Sequence, residues 1–271
     1  MKVFITPAEL AAHQNEYIVI DGRGAIEAGR GHIEGAYVLG LEDLTAPAQE
    51  HGGRHPLPNL DTFAAKLGKF GVDGTKPIVI YDDWMSTVGR LWWMLRYIGL
   101  DTVYVLSGGV RRWVAEGHEL VTTATPACPG CTLSVKLRPD FYFTHEDVLA
   151  ITKDRSKVLV DVRAPERYRG ETEPLDPVAG HVPTAINLYY ESPYTADGLK
   201  DKATLDGLFQ PIADDGRPVV VYCGSGITAP IELLAMYEWG LKPALYLGSF
   251  SDWISYPNAQ IATGTELITD R

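Results

Sequence analysis

Two long stretches of the chain, one in each half, decide its fold. The first, "PIVIYDDWMSTVGRLWWMLRYIGLDTVYVLSGGVRRW", runs from Pro77 to Trp113. The second, "PVVVYCGSGITAPIELLAMYEWGLKPALYLGSFSDW", runs from Pro218 to Trp253 and begins 141 residues later (218 − 77). Both predict a buried strand, a tight loop, a helix, a turn, a second strand and a glycine-bearing turn before a tryptophan. Similarity at this long offset indicates duplicated domains rather than a short repeat unit.

Shorter segments extend the repeat toward the beginning of each half. "IVIDGR" (18–23) corresponds to "VLVDVR" (158–163), and "GHIEGA" (31–36) corresponds to "GHVPTA" (180–185). In both halves, β-branched runs alternate with helical segments, which is typical of a parallel sheet covered by helices. The sequence therefore predicts an α/β fold of two tandem domains, each a parallel sheet flanked by helices.

The boundaries of the two domains follow from composition. Residues 124–139 are rich in proline and threonine and have no helical period, which predicts a linker, in part extended. The predicted domains are therefore residues 1–123 and 140–271. Each opens with a helix whose first turn is marked by a capping threonine, Thr6 in the first and Thr144 in the second.

The composition excludes several classes of function. The net charge of −11 and the lack of a basic run disfavour nucleic acid as a partner. No apolar run reaches the roughly 18 residues that a spanning helix needs, so no membrane segment is expected. The first residues predict a capped helix rather than a secretory signal. Three cysteines, an odd number, do not form a disulfide scaffold, so we expect a reducing, cytoplasmic setting.

One cysteine stands where parallel sheets bind their ligands. Cys223 follows a predicted strand, and sites in such sheets form at the carboxyl ends of strands. Five residues separate it from the next helix: Gly224, Ser225, Gly226, Ile227 and Thr228. Small residues let several backbone N–H groups converge on one anion, which would lower the thiol pKa and make the sulfur nucleophilic. The alternative is a buried structural cysteine, which the flanking glycines disfavour.

The first half lacks this chemistry. Asp82 aligns with Cys223, and its loop, "DDWMSTVG", is bulky and acidic. The first domain is therefore predicted to be catalytically silent. A phosphatase would need an arginine six residues after the cysteine to bind phosphate, and that position is Ala229. Phosphate hydrolysis is disfavoured.

These features resemble the rhodanese superfamily, and specifically its two-domain sulfurtransferases, over nearly the whole chain. The loop "CGSGITA" is similar to the Cys-Gly-Ser/Thr-Gly-Val-Thr loop of mercaptopyruvate sulfurtransferases. The resemblance implies that a small anionic donor, mercaptopyruvate, passes its sulfur to Cys223, and that residues 224–228 bind the substrate. The resulting persulfide gives the sulfur to cyanide or to a thiol acceptor, such as a thioredoxin-like protein. The resemblance implies no metal and no organic cofactor.

The resemblance also implies a proton-transfer triad of a serine in the loop with a histidine and an aspartate of the first domain. Ser225 matches the serine, His32 is the predicted histidine and Asp21 the predicted aspartate. The alternative is a structural role for both partners, because His181 and Asp161 recur at the equivalent places in the second half. An imidazole in both copies would then bond a backbone carbonyl.

An anionic donor needs a cation, and the resemblance implies Arg167 at the substrate-contacting position. The mercaptopyruvate group carries a second arginine nine residues later, but this chain has Asp176 there. Arg169 is the predicted substitute. The alternative is that these arginines pair with acidic neighbours in the same segment.

Other assignments stay open at this point. Within the enzyme class the alternative is a thiosulfate:cyanide sulfurtransferase, whose loop usually carries basic residues after the cysteine. Outside it, the alternative is a non-catalytic sulfur carrier or interaction scaffold. Cys128 and Cys131 form a CPGC pair with no second ligand pair nearby for zinc. A chance surface pair is favoured there, and a regulatory disulfide is the alternative.

Overall fold

The computed structural model describes residues 1–128 and 130–266. The strands of the first half are β1 (Phe4–Ile5), β2 (Ile18–Asp21), β3 (Tyr37–Val38), β4 (Ile78–Tyr81) and β5 (Val103–Leu106). Its helices are α1 (Pro7–His13), α2 (Ala25–Gly29), α3 (Leu41–Leu44), α4 (Leu60–Gly68), α5 (Val88–Tyr97) and α6 (Gly109–Ala115), with a 3₁₀ turn at Gln14–Glu16. Its strands form one parallel sheet in the order β1-β5-β4-β2-β3.

The second half repeats this arrangement. Its strands are β6 (Tyr142–Phe143), β7 (Val158–Asp161), β8 (Ile186–Asn187), β9 (Tyr194–Thr195), β10 (Gly198–Leu199), β11 (Val219–Tyr222) and β12 (Ala244–Tyr246). Its helices are α7 (His145–Asp154), α8 (Pro165–Tyr168), α9 (Lys202–Asp214), α10 (Ala229–Trp239) and α11 (Ser249–Trp253), after a 3₁₀ turn at Pro139–Phe141. The parallel sheet has the order β6-β12-β11-β7-β8, and β9 and β10 form a separate antiparallel hairpin.

The two sheets have the same strand order, which confirms the predicted tandem α/β fold. In each sheet the central strand is a buried, β-branched run, "IVIY" in β4 and "VVVY" in β11. Such strands are buried on both faces because helices cover both sides of the sheet. Both predicted N-caps are also confirmed, since Thr6 and Thr144 each form a capping box with an acidic residue three positions on.

The linker lies along the first domain. Residues 124–128 and 130–138 form no helix or strand, in agreement with the sequence. Backbone N–H groups of Cys128, Cys131 and Lys136 donate to carbonyls of the first domain at 2.9–3.1 Å. The exact domain boundaries stay a prediction.

The two domains pack together through α5 and α10. All ten residues of α5 are buried, as expected for a helix between its own sheet and a partner domain. The helices approach so closely that a Cβ on Gly89 would lie 2.6 Å from the backbone nitrogen of Ile231. One apolar cluster therefore runs through both domains. Among the described residues, none of the helices combines the length and the apolar character needed to cross a membrane.

Candidate active site

The loop between β11 and α10 holds the sulfur of Cys223 in a backbone cradle. The cysteine is 1% exposed, and the N–H of Gly226 donates to its Sγ at 3.1 Å. Gly226 has φ +78°, in the left-handed region that favours glycine, and a Cβ there would lie 2.3 Å from the carbonyl oxygen of Leu247. Glycine is therefore required at this position for the loop to close around the sulfur.

The cradle determines the ionisation of the thiol. Burial alone raises the pKa of Cys223, because a charged sulfur loses its hydration. The Thr228 hydroxyl, the backbone N–H groups of Ala229 and Ser225, and the Ser249 hydroxyl lower the pKa of Cys223 and outweigh burial. The thiol pKa is therefore below its ordinary value, in the direction that the loop sequence predicts, although the sequence disfavoured a buried cysteine.

Ser249 belongs to the cradle although it lies outside the loop. Its Oγ accepts a hydrogen bond from the N–H of Cys223 at 3.2 Å, lies 3.8 Å from Sγ, and donates to the carbonyl of Tyr246 at 3.0 Å. Its φ is +58°, and the equivalent residue of the first domain, 140 positions earlier (249 − 109), is Gly109 with φ +60°. The sequence does carry a signal for Ser249: a serine stands where the first half has a glycine, in a backbone conformation that glycine usually adopts. Sequence reasoning missed this signal.

A buried arginine of the first domain places positive charge beside the loop. Arg90 is 0% exposed, and its guanidinium donates to the carbonyls of Gly226 at 3.1 Å, Leu44 at 3.0 Å and His55 at 2.8 Å. Burial lowers the pKa of Arg90 to about 10, and the neighbouring Cys223 thiolate opposes this shift. Arg90 therefore remains charged at neutral pH and joins the first domain to the catalytic loop.

His55 is the histidine that the structure brings to Ser225. Its imidazole interacts with the backbone of Ser225, and its Nδ1 is buried with no hydrogen-bond partner among the described residues. Burial, followed by the charges of Arg90 and Arg54, lowers the pKa of His55, and the contact with Ser225 opposes this. The imidazole is thus kept neutral beside the loop, with one nitrogen available. Sequence reasoning missed it because "GGRHPLP" (52–58) has no counterpart in the repeat.

The structure corrects the prediction for His32. Its Nδ1 lies 3.0 Å from the carbonyl oxygen of Ala28 and its Nε2 lies 3.2 Å from that of Thr123. Its repeat partner His181 makes the same kind of contact, with Nδ1 2.7 Å from the carbonyl oxygen of Tyr168. Both imidazoles hold loops of their own domain, as the structural alternative states, and no hydrogen bond in the described part of the chain joins His32 to the catalytic loop.

Asp21 is corrected in the same way. Its carboxylate accepts from Arg23 Nη2 at 2.6 Å and from the Tyr81 hydroxyl at 2.9 Å. Asp161 and Arg163 repeat the ion pair in the second domain at 2.7 Å. A buried ion pair that recurs in both domains positions strand ends, and the oxygens of Asp21 are already occupied.

Arg167 lies at the catalytic loop. Its guanidinium would be 3.5 Å from a Cβ on Gly224, and it donates to Glu173 at 2.7 Å and to Asp176 at 3.2 Å. Its role in substrate binding stays a prediction. Its position next to Cys223 supports that role, while its ion pairs with Glu173 and Asp176 are those that the acidic-neighbour alternative expects. Arg169 instead pairs with the exposed Glu171 at 2.7 Å, as the acidic-neighbour alternative expects.

The first domain contributes a cation that sequence reasoning missed. Arg54 Nη2 would lie 3.2 Å from a Cβ on Gly224, and Arg54 Nη1 pairs with Asp176 of the second domain.

Cys128 and Cys131 are both free and half-buried. Burial and the neighbouring Cys128 raise the pKa of Cys131, and a disulfide between the two stays a prediction.

The fold and the site together define a protein of two repeated α/β domains, with one cradled thiol in the second domain. The rhodanese-like domain family matches residues 6–116 and 144–256, one match in each domain. The chain belongs to the rhodanese family and is a sulfurtransferase of the tandem-domain type.

Relatives in other organisms agree with this placement. The "Probable 3-mercaptopyruvate sulfurtransferase" of Pseudomonas aeruginosa is 37% identical over 96% of this chain and 98% of that protein. A Mycobacterium tuberculosis protein named as a thiosulfate sulfurtransferase is 34% identical over 97% of this chain and 98% of its own length. The crystal structure of SseA from Escherichia coli, described as a 3-mercaptopyruvate sulfotransferase, covers 93% of this chain and 100% of that chain at 29% identity, with a TM-score of 0.79.

Proposed function

We propose that this chain transfers sulfur from 3-mercaptopyruvate to a thiol or cyanide through a persulfide on Cys223. The observation that carries the proposal is the buried thiol whose pKa is nevertheless lowered by the cradle around it. A thiolate is the reactive form of cysteine, and the same N–H groups suit the anionic persulfide that follows. The names of the Pseudomonas and Escherichia relatives support the keto acid as donor.

The reaction balances in two half-reactions. The Cys223 thiolate attacks the sulfur of mercaptopyruvate, the carbon–sulfur bond breaks, and its electron pair stays on carbon as the enolate of pyruvate. A proton then converts the enolate to pyruvate. In the second half-reaction a thiol or cyanide attacks the outer sulfur of the persulfide, and the sulfur–sulfur bond breaks. The Cys223 thiolate returns, and the acceptor leaves as a persulfide or as thiocyanate.

His55 and Ser225 are proposed to manage the proton of the first half-reaction. The contact of the His55 imidazole with the backbone of Ser225, and its buried Nδ1 without a partner among the described residues, support a proton relay from the imidazole through the loop. His55 thereby takes the role that the resemblance implies for His32. The loop residues around the sulfur, Gly224, Gly226, Ile227 and Thr228, would line the path of the donor.

Thiosulfate is the second candidate donor, since the mycobacterial relative bears the name of a thiosulfate enzyme. Gly224 and Ser225 follow the nucleophile where thiosulfate-using rhodaneses tend to carry basic residues. The charges near the loop come instead from Arg54, Arg90 and Arg167, which lie elsewhere in the chain. We therefore place mercaptopyruvate first.

A cytoplasmic, reducing setting and a thioredoxin-like acceptor are parts of the same proposal. The three cysteines, all free in the structure, support such a setting, because an oxidising compartment would compete for the nucleophile. The acceptor is tested by turnover with a reduced thioredoxin, compared with a small thiol and with cyanide. Faster turnover with cyanide than with either thiol would contradict the thiol assignment.

The decisive experiment compares the two donors side by side. We expect kcat/KM for mercaptopyruvate to exceed that for thiosulfate, and mass spectrometry of the donor-treated protein to show one added sulfur atom. Cys223→Ser is expected to lose both the adduct and the turnover. A preference for thiosulfate would contradict the donor assignment. An adduct without turnover would indicate a sulfur carrier, and no adduct would indicate a scaffold.

A further inference from the structure

Two guanidinium groups, one from each domain, lie over the backbone of Gly224. A Cβ on this glycine would be 3.2 Å from Arg54 Nη2 and 3.5 and 3.8 Å from Arg167 Nη2 and Nη1. Gly224 follows the nucleophile directly. The space that the missing side chain leaves open is therefore bounded by two cations next to the reacting sulfur.

One buried carboxylate, that of Asp176, pairs with both arginines. The side chain of Asp176 is 1% exposed, and its Oδ1 accepts from Arg54 Nη1 while its Oδ2 accepts from Arg167 Nη2 at 3.2 Å. The backbone N–H of Arg54 also donates to the Ser251 hydroxyl of the second domain at 3.1 Å. Arg54 is thus a residue of the first domain whose contacts lie at the site of the second domain.

Each guanidinium keeps one terminal nitrogen available. Arg54 Nη2 and Arg167 Nη1 have no hydrogen-bond partner among the described residues, and both lie within 4 Å of the Cβ position on Gly224. The Arg54 side chain is 34% exposed, so solutes can reach it. Two N–H-bearing nitrogens that converge on one point can each donate to one oxygen of a carboxylate.

We propose that Arg54 and Arg167 form a clamp for the carboxylate of the keto-acid donor, and that Asp176 positions both arginines. The inference rests on the proposed function and deepens it. The resemblance implies a second arginine at position 176, where this chain has an aspartate. Asp176 compensates by holding a cation from the other domain in reach of the substrate.

The charge around the clamp favours a donor with a single carboxylate. Behind the two arginines lie the buried carboxylates of Glu173 and Asp176, with side chains 3% and 1% exposed. They offset much of the positive charge of Arg54 and Arg167. A dianion such as thiosulfate would gain less binding free energy at this position than a single carboxylate whose two oxygens match the two N–H donors.

The test compares the binding of pyruvate with that of pyruvamide, which has the same shape without the charge. Calorimetry on Arg54→Ala should show pyruvate binding weakened about 10- to 100-fold, as for a lost hydrogen bond to a charged group, and pyruvamide binding unchanged. The pyruvate affinity of Arg54→Lys should lie between those of wild type and Arg54→Ala, because one ammonium group cannot replace the two terminal nitrogens of a guanidinium. KM for mercaptopyruvate should rise by the same factor with kcat retained. Arg30→Ala, an exposed arginine of the same domain paired with Glu27, is the matched control.

Each outcome decides the proposal. Equal weakening of pyruvate and pyruvamide would show that Arg54 only holds the domains together, and would overturn the clamp. Unchanged pyruvate binding would overturn it as well, while turnover of the wild type would leave the proposed function intact. Wild type that binds pyruvate through Arg54 but does not turn over mercaptopyruvate would contradict the proposed function and leave the clamp standing.

Discussion

The loops after β4 and β11 have the same backbone plan and hold different anions. In the first domain the Asp82 carboxylate fills the cradle and accepts four backbone N–H groups at 2.6–3.0 Å, those of Trp84, Ser86, Thr87 and Val88. In the second domain Cys223 occupies the equivalent position, 141 residues later (223 − 82), and its sulfur receives the converging N–H groups. Both loops are anion sites. In the first domain the N–H groups are permanently occupied by the Asp82 carboxylate, whereas in the second domain they surround a sulfur that can react.

The neighbours of the two loops differ as well. The first-domain loop faces the hairpin of the second domain, where Trp84 Nε1 donates to the carbonyl of Thr195 at 3.1 Å. The second-domain loop faces Arg54, His55 and Arg90 of the first domain. Only the loop with the cysteine is therefore flanked by these cations and this imidazole of the other domain, among the described residues.

The silent loop also tolerates strain that the catalytic loop avoids. Trp84 and Met85 have φ of 106° and 68°, while the catalytic loop has Gly226 at the position of Met85 (226 − 141) with φ 78°. A non-glycine residue in this region costs about 1–2 kcal/mol. The hydrogen bonds to Asp82 offset that cost.

The largest expected effect comes from making the loops alike. Cys223→Asp would place in the second cradle the carboxylate that fills the first. We expect turnover to fall at least about 10³-fold, as for loss of a nucleophile, with the free energy of unfolding retained or raised because the N–H groups still meet an anion. Steady-state assays and urea unfolding measure both. A variant that unfolds much more easily than Cys223→Ser would contradict the claim that the cradles are equivalent.

The next effect concerns the helices that follow the two loops. Glu232 of α10 is fully buried and both its carboxylate oxygens are unpartnered among the described residues, while the equivalent residue of α5 (232 − 141) is the buried Leu91. Burial raises the pKa of Glu232 well above its ordinary 4.5. Glu232→Leu should therefore stabilise the protein by about 1–3 kcal/mol at neutral pH, because a buried polar group without partners is removed.

The pH dependence of this gain has a definite sign. In the unfolded chain Glu232 ionises near pH 4.5, whereas in the folded chain it stays protonated to higher pH. Wild type therefore loses stability relative to Glu232→Leu as the pH rises above 4.5, at up to about 1.4 kcal/mol per pH unit, until the folded group ionises. Urea unfolding between pH 4 and 8 measures the difference. A difference that stays constant over that range would contradict the buried, protonated carboxyl.

An effect of similar size and opposite sign is expected from the silent cradle. Asp82→Asn keeps the shape of the side chain and removes its charge, so the free energy of unfolding should fall by about 1–3 kcal/mol. Sulfur transfer should be unaffected, because the catalytic loop is in the other domain. Urea unfolding and donor turnover on the same preparation test this, and a loss of turnover without loss of stability would contradict the silent role.

The smallest effect is expected at the residue that distinguishes the two turns. Ser249→Gly restores the glycine that the first domain has as Gly109, and removes the hydroxyl that lowers the pKa of Cys223. The thiol pKa should rise while the unfolding free energy stays the same or increases, because glycine relieves the left-handed backbone. The pH profile of alkylation measures the first quantity. A thiol pKa that stays the same in Ser249→Gly would contradict the role of the hydroxyl.

The sequence predicted the parts of the molecule that depend on local pattern. The central strands β2, β4, β7 and β11, the duplication and the position of Cys223 in a loop at a strand end follow from periodicity, repeat offset and the small residues of that loop. The two-residue edge strands β1, β3, β6 and β8 carry no period and were not predicted.

The rest of the site could not be predicted from local sequence patterns. Arg54, His55 and Arg90 reach the loop from the other domain, more than 130 positions away in sequence, and nothing in their own segments marks that contact. The prediction for His32 was wrong because a motif shared by both halves was taken as catalytic, whereas recurrence in the silent and the active domain indicates architecture.

The ionisation of Cys223 tests the central claim most directly. Thiolate absorbance is titrated in wild type and in Cys223→Ser, so that subtraction removes Cys128 and Cys131. We expect a pKa for Cys223 below the value of about 8.5 that a free cysteine has. A pKa at or above that value would show that burial outweighs the N–H cradle, and would contradict an ionised, reactive thiol.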